Sequence, residues 1–346
     1  KEAIFHKDNP YEPVSQWWKT ISHNGLCIGW SNYYIATNDN DQCAIFYKDN
    51  PNEPVSLWWD GIYEDGLVHG KSEYYIVQNS NMEEAIFHIN NPNTPVSEWW
   101  NQILLGGLYS YMSDYYMVQN KENKYAIFHI SNPEEPVSNW WDEIHCNALF
   151  QGTSYYYIAQ VVEEEGEGTK AIFHIDNPDE PISDWHFDIA PLGLLNGTTQ
   201  CYAVMPSENS NIQVYHVNDT TSPLYEIPFK DISFLLHIDD KIAIYVKNRQ
   251  LMIYDALWEQ EKTIAPLSDK TAKLVYSYTV DTYTTDNLIH KYLQNDFIPI
   301  VFNNSCCLYT LNSDSVKEFD STQNAERYIR EIILNKEAET NIMRLY

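Results

Sequence analysis

The feature that most limits what this chain can fold into is that its sequence repeats itself. AIFHKDNPYEPVSQWW begins at Ala3, and close copies begin at Ala44, Ala85, Ala126 and Ala171, so the interval is 41 residues three times and then 45. A sixth, eroded copy, VYHVNDTTSPLYEI, starts at Val214. A second block alternates with the first: GLCIGWSNYYIAT at Gly25, GLVHGKSEYYIVQ at Gly66, GLYSYMSDYYMVQ at Gly107, ALFQGTSYYYIAQ at Ala148 and a drifting GLLNGTTQCYAVM at Gly193. Self-similarity at a period of about 20–50 residues marks a stacked array, in which each unit buries its apolar faces against its neighbours.

Each unit reads as four short strands. GLVHG is expected to be the first, its small residues suited to a crowded axis, and YYIVQ the second, rich in aromatic and β-branched residues. AIFHI is the third. NPxEP then turns the chain, because the residue before proline is pushed away from helix. PVSxWW is expected to be the fourth strand, its leading proline tolerable at an outer edge. Four strands in so few residues make a propeller blade, and no segment is long enough for a helix pair. The 27 Tyr, 12 Phe and 11 Trp add to the tilt toward sheet.

The third strand, turn and fourth strand resemble the LVIVD-type propeller repeat and, more loosely, WD40-like blades. The resemblance covers roughly the first 190 residues. It implies a fold and no particular activity, since propellers host many unrelated functions. Beyond it, ISFLLHID, KIAIYVK, LMIYDA and EKTIAP (232–266) make one degenerate blade. KLVYSYTV, DFIPIVF, CCLYTLN and SVKEF (273–319) make another. Third strands therefore fall near residues 3, 44, 85, 126, 171, 212, 250 and 306, and the first unit lacks two inner strands. The expected fold is an all-β β-propeller spanning residues 1–320, with seven blades favoured and eight possible. From Ser321 to Tyr346 the period changes: Ala325, Ile329, Ile332 and Ile333 predict a C-terminal amphipathic α-helix, packing on its own domain or on a partner.

Forty-nine acidic residues against 21 basic ones give a formal charge of -28. Such a surface argues against nucleic acid and against anionic membranes, and admits a basic protein partner. No run of 18 apolar residues occurs, so no helical membrane span is expected. The six cysteines form no CxxC pair and no disulfide framework, which favours a reduced, cytoplasmic setting. A chain starting at Lys1 without methionine suggests residues upstream, so secretion stays open.

The tryptophan pairs (17 and 18, 58 and 59, 99 and 100, 140 and 141) are expected to fill the space between blades. The alternative is a set of stacking platforms for sugars. His6, His88, His129, His174 and His216 share one repeat position, and blades about 10 Å apart are too distant to share one metal ion. A hydrogen bond to the NPxEP turn is the expected role. Side chains that differ between repeats are the better candidates for recognition, because packing does not dictate them. One column reads Ile28, His69, Ser110, Gln151, Asn196, with Tyr109 beside it. The next reads Trp30, Lys71, Met112, Thr153, Thr198. Trp30, His69, Lys71, Tyr109 and Gln151 are thus candidate binding residues near the mouth of the axis. A fourth group is the acidic loop VVEEEGEGTK, with Glu163, Glu164, Glu165 and Glu167, either a solvated tip or a contact for a basic partner. No Walker A, GxSxG, HExxH, EF-hand or dinucleotide fingerprint is present, and no catalytic residue, cofactor or metal ligand is nominated. The leading expectation is a non-enzymatic protein-binding propeller, a scaffold or inhibitor of a basic partner. A multivalent carbohydrate-binding propeller comes second, and an enzyme with an axial active site third.

Overall fold

The structure, a computed structural model, describes residues 1–27, 29–63, 66–104, 106–110, 112–162, 168–190, 192–197, 199–208, 210–228, 232–248, 250–266, 297–302, 305–310, 315–319, 324, 327 and 328. Among these the chain is all-β and of the β-propeller type. Seven antiparallel sheets of three or four strands follow one another in chain order, preceded by a two-stranded ribbon. The chain divides into two compact units, Lys1–Phe187 with Leu195–Gly197, and Asp188–Leu194 with Thr198–Tyr346.

In the first unit the sheets are copies of one meander. Gln102–Leu104 pairs with Tyr115–Gln119, and that strand pairs with Tyr125–His129. Thr20–Ser22, Tyr33–Thr37 and Cys43–Tyr47 repeat this order, as do Glu143–His145, Tyr156–Val162 and Gly168–His174. Tyr75, Ile76 and Val77 are consecutive and all buried, as are Ala85, Ile86 and Phe87 on the paired strand. A half-solvated strand would alternate; these runs are continuous because another sheet covers each face. At one such junction Ile76 and Ile86 of one repeat pack with Ile103, Tyr116, Val118 and Phe128 of the next.

Two strand assignments read from the sequence are corrected. GLxxG is not a strand: Asn24–Cys27, Gly107–Ser110 and Asn147–Phe150 are single helical turns, and residues 66–70 form a turn. The real first strand is the short segment after each tryptophan pair, such as Gln102–Leu104. The fourth strand is not PVSxWW as expected: in two copies the NPxEP segment read as a turn is itself the strand, at Asn9–Pro13 and Asn50–Pro54, and PVSxWW meets the third strand only at isolated points. Val96 N–H donates to the Ile86 carbonyl at 2.7 Å and Trp100 pairs with Glu84, but three residues bulge out between them. A serine fills the break. Ser97 Oγ accepts the Ile86 N–H at 2.9 Å and donates to the Glu98 carbonyl at 2.9 Å, while Ser15, Ser56, Ser138 and Ser183 do the same in their repeats. All five are buried.

The second tryptophan of each pair fills a junction, as expected, while Trp17 is 54% exposed. Trp100 lies 5.3 Å from Phe128 and 5.7 Å from Trp140 of the next repeat, ring centre to ring centre, and Tyr116 stacks on the far side of Phe128 at 5.6 Å. Trp18, Trp59 and Trp141 repeat the arrangement. The histidines hold the turns. The Nδ1 atoms of His6, His88, His129, His174 and His216 each accept the backbone N–H two residues on, at 3.1–3.3 Å.

In the second unit Asp188–Ala190, Cys201–Met205, Ile212–His216 and Tyr225–Ile227 form one four-stranded sheet. Ile232–Ile238, Ile242–Lys247, Gln250–Asp255 and Gln260–Pro266 form another, matching the degenerate blade expected at 232–266. Ala203, Val214, Ile227, Ile238, Ala243 and Tyr245 make its core. Phe297–Phe302, Ser305–Thr310 and Ser315–Phe319 make the last sheet. The KLVYSYTV segment lies outside the described residues. Of the C-terminal helix, Asn324, Arg327 and Tyr328 are helical and the rest lies outside them.

Candidate functional site

The loops between first and second strands carry the variable residues, and they are locked to one another along the first unit. Each closes on itself: the carbonyl of Gly25 accepts Trp30 N–H at 2.8 Å, that of Gly66 accepts Lys71 N–H at 2.8 Å, and that of Ala148 accepts Thr153 N–H at 2.9 Å. Each also meets its neighbour without a spacer. Ser31 Oγ donates to the Leu67 carbonyl at 2.8 Å. The Trp30 carbonyl sits directly against Gly70, whose φ of 66° places it in the left-handed region. The same contact recurs farther along, where a Cβ on Gly152 would stand 2.6 Å from the Met112 carbonyl oxygen. Glycine is required here for two reasons at once, the left-handed turn and the backbone approach.

This frame displays side chains that differ from loop to loop. Trp30 is 64% exposed and Tyr155 is 62% exposed. Lys71 and Thr153 are exposed, while His69 and Gln151 are half-buried. The Trp30 carbonyl abuts Gly70, the residue between His69 and Lys71 in the chain. Gln151 lies one loop beyond Met112, and Tyr109 falls in the helical turn Gly107–Ser110. Glu163, Glu164, Glu165 and Glu167 lie outside the described residues.

Ionisable groups near the loops serve the frame. Tyr74 meets His88 edge-on at 4.8 Å, and Glu73 lies 3.2 Å from His88 Nε2. Sequence reasoning missed Glu84, a buried carboxylate. Its Oε1 accepts the Tyr63 hydroxyl at 2.6 Å and its Oε2 accepts the Ile103 N–H at 2.7 Å, so it ties one blade to the start of the next. That hydrogen bond, with burial second, pushes the Tyr63 phenol up to about 12. Glu2 makes the same bond to Ile21 N–H at 2.7 Å, the one clue the sequence offered. Asp142 is held below the usual carboxylate range, first by the Lys124 ammonium at 2.6 Å and then by the Val162 N–H. Burial pushes the Cys201 thiol up to about 12. Among the described residues no group of three or more His, Cys, Asp or Glu side chains is placed to hold a metal ion, and no helix is long and apolar enough to cross a membrane.

No family model matches the chain, and no curated protein matches it. Among solved structures, Hsv2 of Kluyveromyces lactis aligns at 10% identity over 67% of this chain and 82% of that one, with a TM-score of 0.30. A complex of KlAtg21 with the coiled coil of AgAtg16 aligns at 10% identity over 89% and 99%, with a TM-score of 0.36. A eukaryotic initiation factor aligns at 10% identity over 91% and 92%, with a TM-score of 0.33. Likenesses this slight carry no weight for function.

Proposed function

We propose that the chain is a non-enzymatic protein-binding propeller, a scaffold or inhibitor that engages a basic partner through the loops carrying Trp30, His69, Lys71, Gln151 and Tyr155. One observation carries the reading: the loops are fixed backbone to backbone, yet their outward side chains vary and include two large aromatic rings exposed by more than half. A rigid frame lowers the entropy lost on binding, and exposed Trp and Tyr are the side chains that most often dominate protein interfaces. The charge of -28 adds long-range attraction for a cationic surface. The repeat's third strand, turn and tryptophan pair support grouping it with the LVIVD-type repeats.

The test is capture of partners on the tagged chain with elution by rising salt, in parallel with a Trp30→Ala/Tyr155→Ala variant. The expected result is one basic protein, released stoichiometrically by salt and held at least about tenfold more weakly by the variant, a loss of ~1.4 kcal/mol. Equal retention by both forms would remove these loops from the interface. Binding of glycans with no protein captured would favour the carbohydrate reading.

A further inference from the structure

Where the second strand begins and the third ends, the first unit sets a tyrosine, a histidine and a carboxylate together in successive copies. Tyr74 pairs with His88, Tyr115 with His129 and Tyr156 with His174, their rings edge-on with centres 4.8–4.9 Å apart. Glu73 Oε2 lies 3.2 Å from His88 Nε2, Asp114 Oδ2 3.9 Å from His129 Nε2, and Asp176 Oδ2 3.7 Å from His174 Nδ1. Because His88 Nδ1 accepts the Asn90 N–H, its neutral ring carries the proton on Nε2, facing Glu73. The three carboxylates are open to water, their side chains 56%, 70% and 83% exposed. Adjoining copies are within electrostatic reach of one another. Burial is the first cause that raises the Tyr33, Tyr74 and Tyr115 phenols, and the next blade's carboxylate adds to it: Glu73 for Tyr33 (after Tyr47), Asp114 for Tyr74, Asp176 for Tyr115. In the copy before these, a cation already sits in such a place. Lys48 Nζ lies 5.9 Å from the centre of the Tyr47 ring and 2.8 Å from Asp49, at the repeat positions that His174 and Asp176 hold farther along. Isoleucine replaces Lys48 in the next three copies, as Ile89, Ile130 and Ile175, so ring and carboxylate there receive no cation from that position.

We infer that this row of rings and carboxylates binds an extended, arginine-bearing segment of the basic partner, one guanidinium to each tyrosine and the next blade's carboxylate. The inference rests on the protein-binding reading for the partner's charge, and it names the chemistry recognised. Arginine fits better than lysine, because a planar guanidinium stacks on a ring and pairs with a carboxylate through two parallel hydrogen bonds. Spacing selects the rest of the segment. Packed sheets lie about 10 Å apart, whereas same-side residues of a β-strand recur every ~6.6 Å and would fall out of step with the blades. A polyproline II segment rises about 3.1 Å per residue with three residues per turn, so every third side chain lies on one side, roughly 9 Å from the last. Arginine at every third residue therefore matches one cation to each blade.

The probes are the peptide acetyl-RPPRPPRPP-amide and its isomer acetyl-RRRPPPPPP-amide, titrated by calorimetry into the whole chain at about 0.15 M salt. The expected result is saturable binding of the spaced peptide with Kd below about 1 mM, and at least roughly tenfold weaker binding of the isomer. The Asp114→Asn/Asp176→Asn chain should melt with the unaltered one, since both side chains are exposed, and bind the spaced peptide at least roughly tenfold more weakly. A Glu122→Gln/Asp60→Asn chain loses two exposed charges at the far end of the strands and should bind it unchanged. No saturable binding, equal affinity for the two isomers, or an equal loss in the far-end variant overturns the row as a site. The captured basic protein separates the row from the loops. If the Trp30→Ala/Tyr155→Ala chain releases it and the Asp114→Asn/Asp176→Asn chain holds it fully, the row is overturned and the loops stand.

Discussion

At the scale of single residues, the fold depends on polar side chains that finish what the backbone leaves open. Ser97 is the plainest case: it completes the hydrogen bonds of a strand broken by a three-residue bulge, and it is buried. Ser97→Ala strands the Ile86 N–H without water. The expected cost is about 1–3 kcal/mol, read as a lower midpoint in denaturant with an unchanged slope. Ser138→Ala should behave alike, since Ser138 accepts the Ile127 N–H at 2.9 Å. The repeated serine was visible in every copy of PVSxWW, but nothing local says that a serine will face inward. The histidine column was more legible, because a side chain three residues before the Asn of NPxEP has the turn within reach.

At the scale of elements, the loops that display the candidate site owe their stacking to glycine. Gly29 and Gly70 hold the same repeat position, and both are left-handed, with φ of 78° and 66°. They differ in surroundings: a Cβ on Gly29 meets nothing within 4 Å, whereas one on Gly70 runs into the Trp30 carbonyl. Gly29→Ala should therefore cost only the left-handed penalty, roughly 1–2 kcal/mol. Gly70→Ala should cost clearly more and should disturb the loop carrying His69 and Lys71. Thermal melts of the two variants make the comparison. The same physics explains why the GLxxG segments were misread as strands: their small residues fit a tight axis and a tight turn equally well, and a positive φ is not written in composition.

At the scale of the whole molecule, the charge of -28 dominates. Self-repulsion of that size disfavours the compact state, and salt screens it over a Debye length of about 10 Å at 0.1 M. The melting temperature at pH 7 should therefore rise between 20 mM and 500 mM sodium chloride. A fall would mean that ion pairs such as Lys124–Asp142, at 2.6 Å, outweigh the repulsion. Asp142 sets a further pH term. Its folded pKa is depressed, so its contribution is present above the ordinary aspartate range and fades as pH falls through the lowered folded value.

By itself the sequence determined the repeat, the all-β class, the second and third strands, and the filling of blade junctions by tryptophan. Those follow from period, β-branched and aromatic content, and side chains large enough to have only one place to go. Only the tertiary structure decided which residues form the first strand, how the fourth breaks around Ser97, and that Trp30 abuts Gly70. A two- or three-residue strand such as Gly61–Ile62 has no periodicity to read and exists because Gln78 and Val77 lie across from it. Close approach between loops 40 residues apart is likewise a property of stacked neighbours, written in no single copy of the repeat.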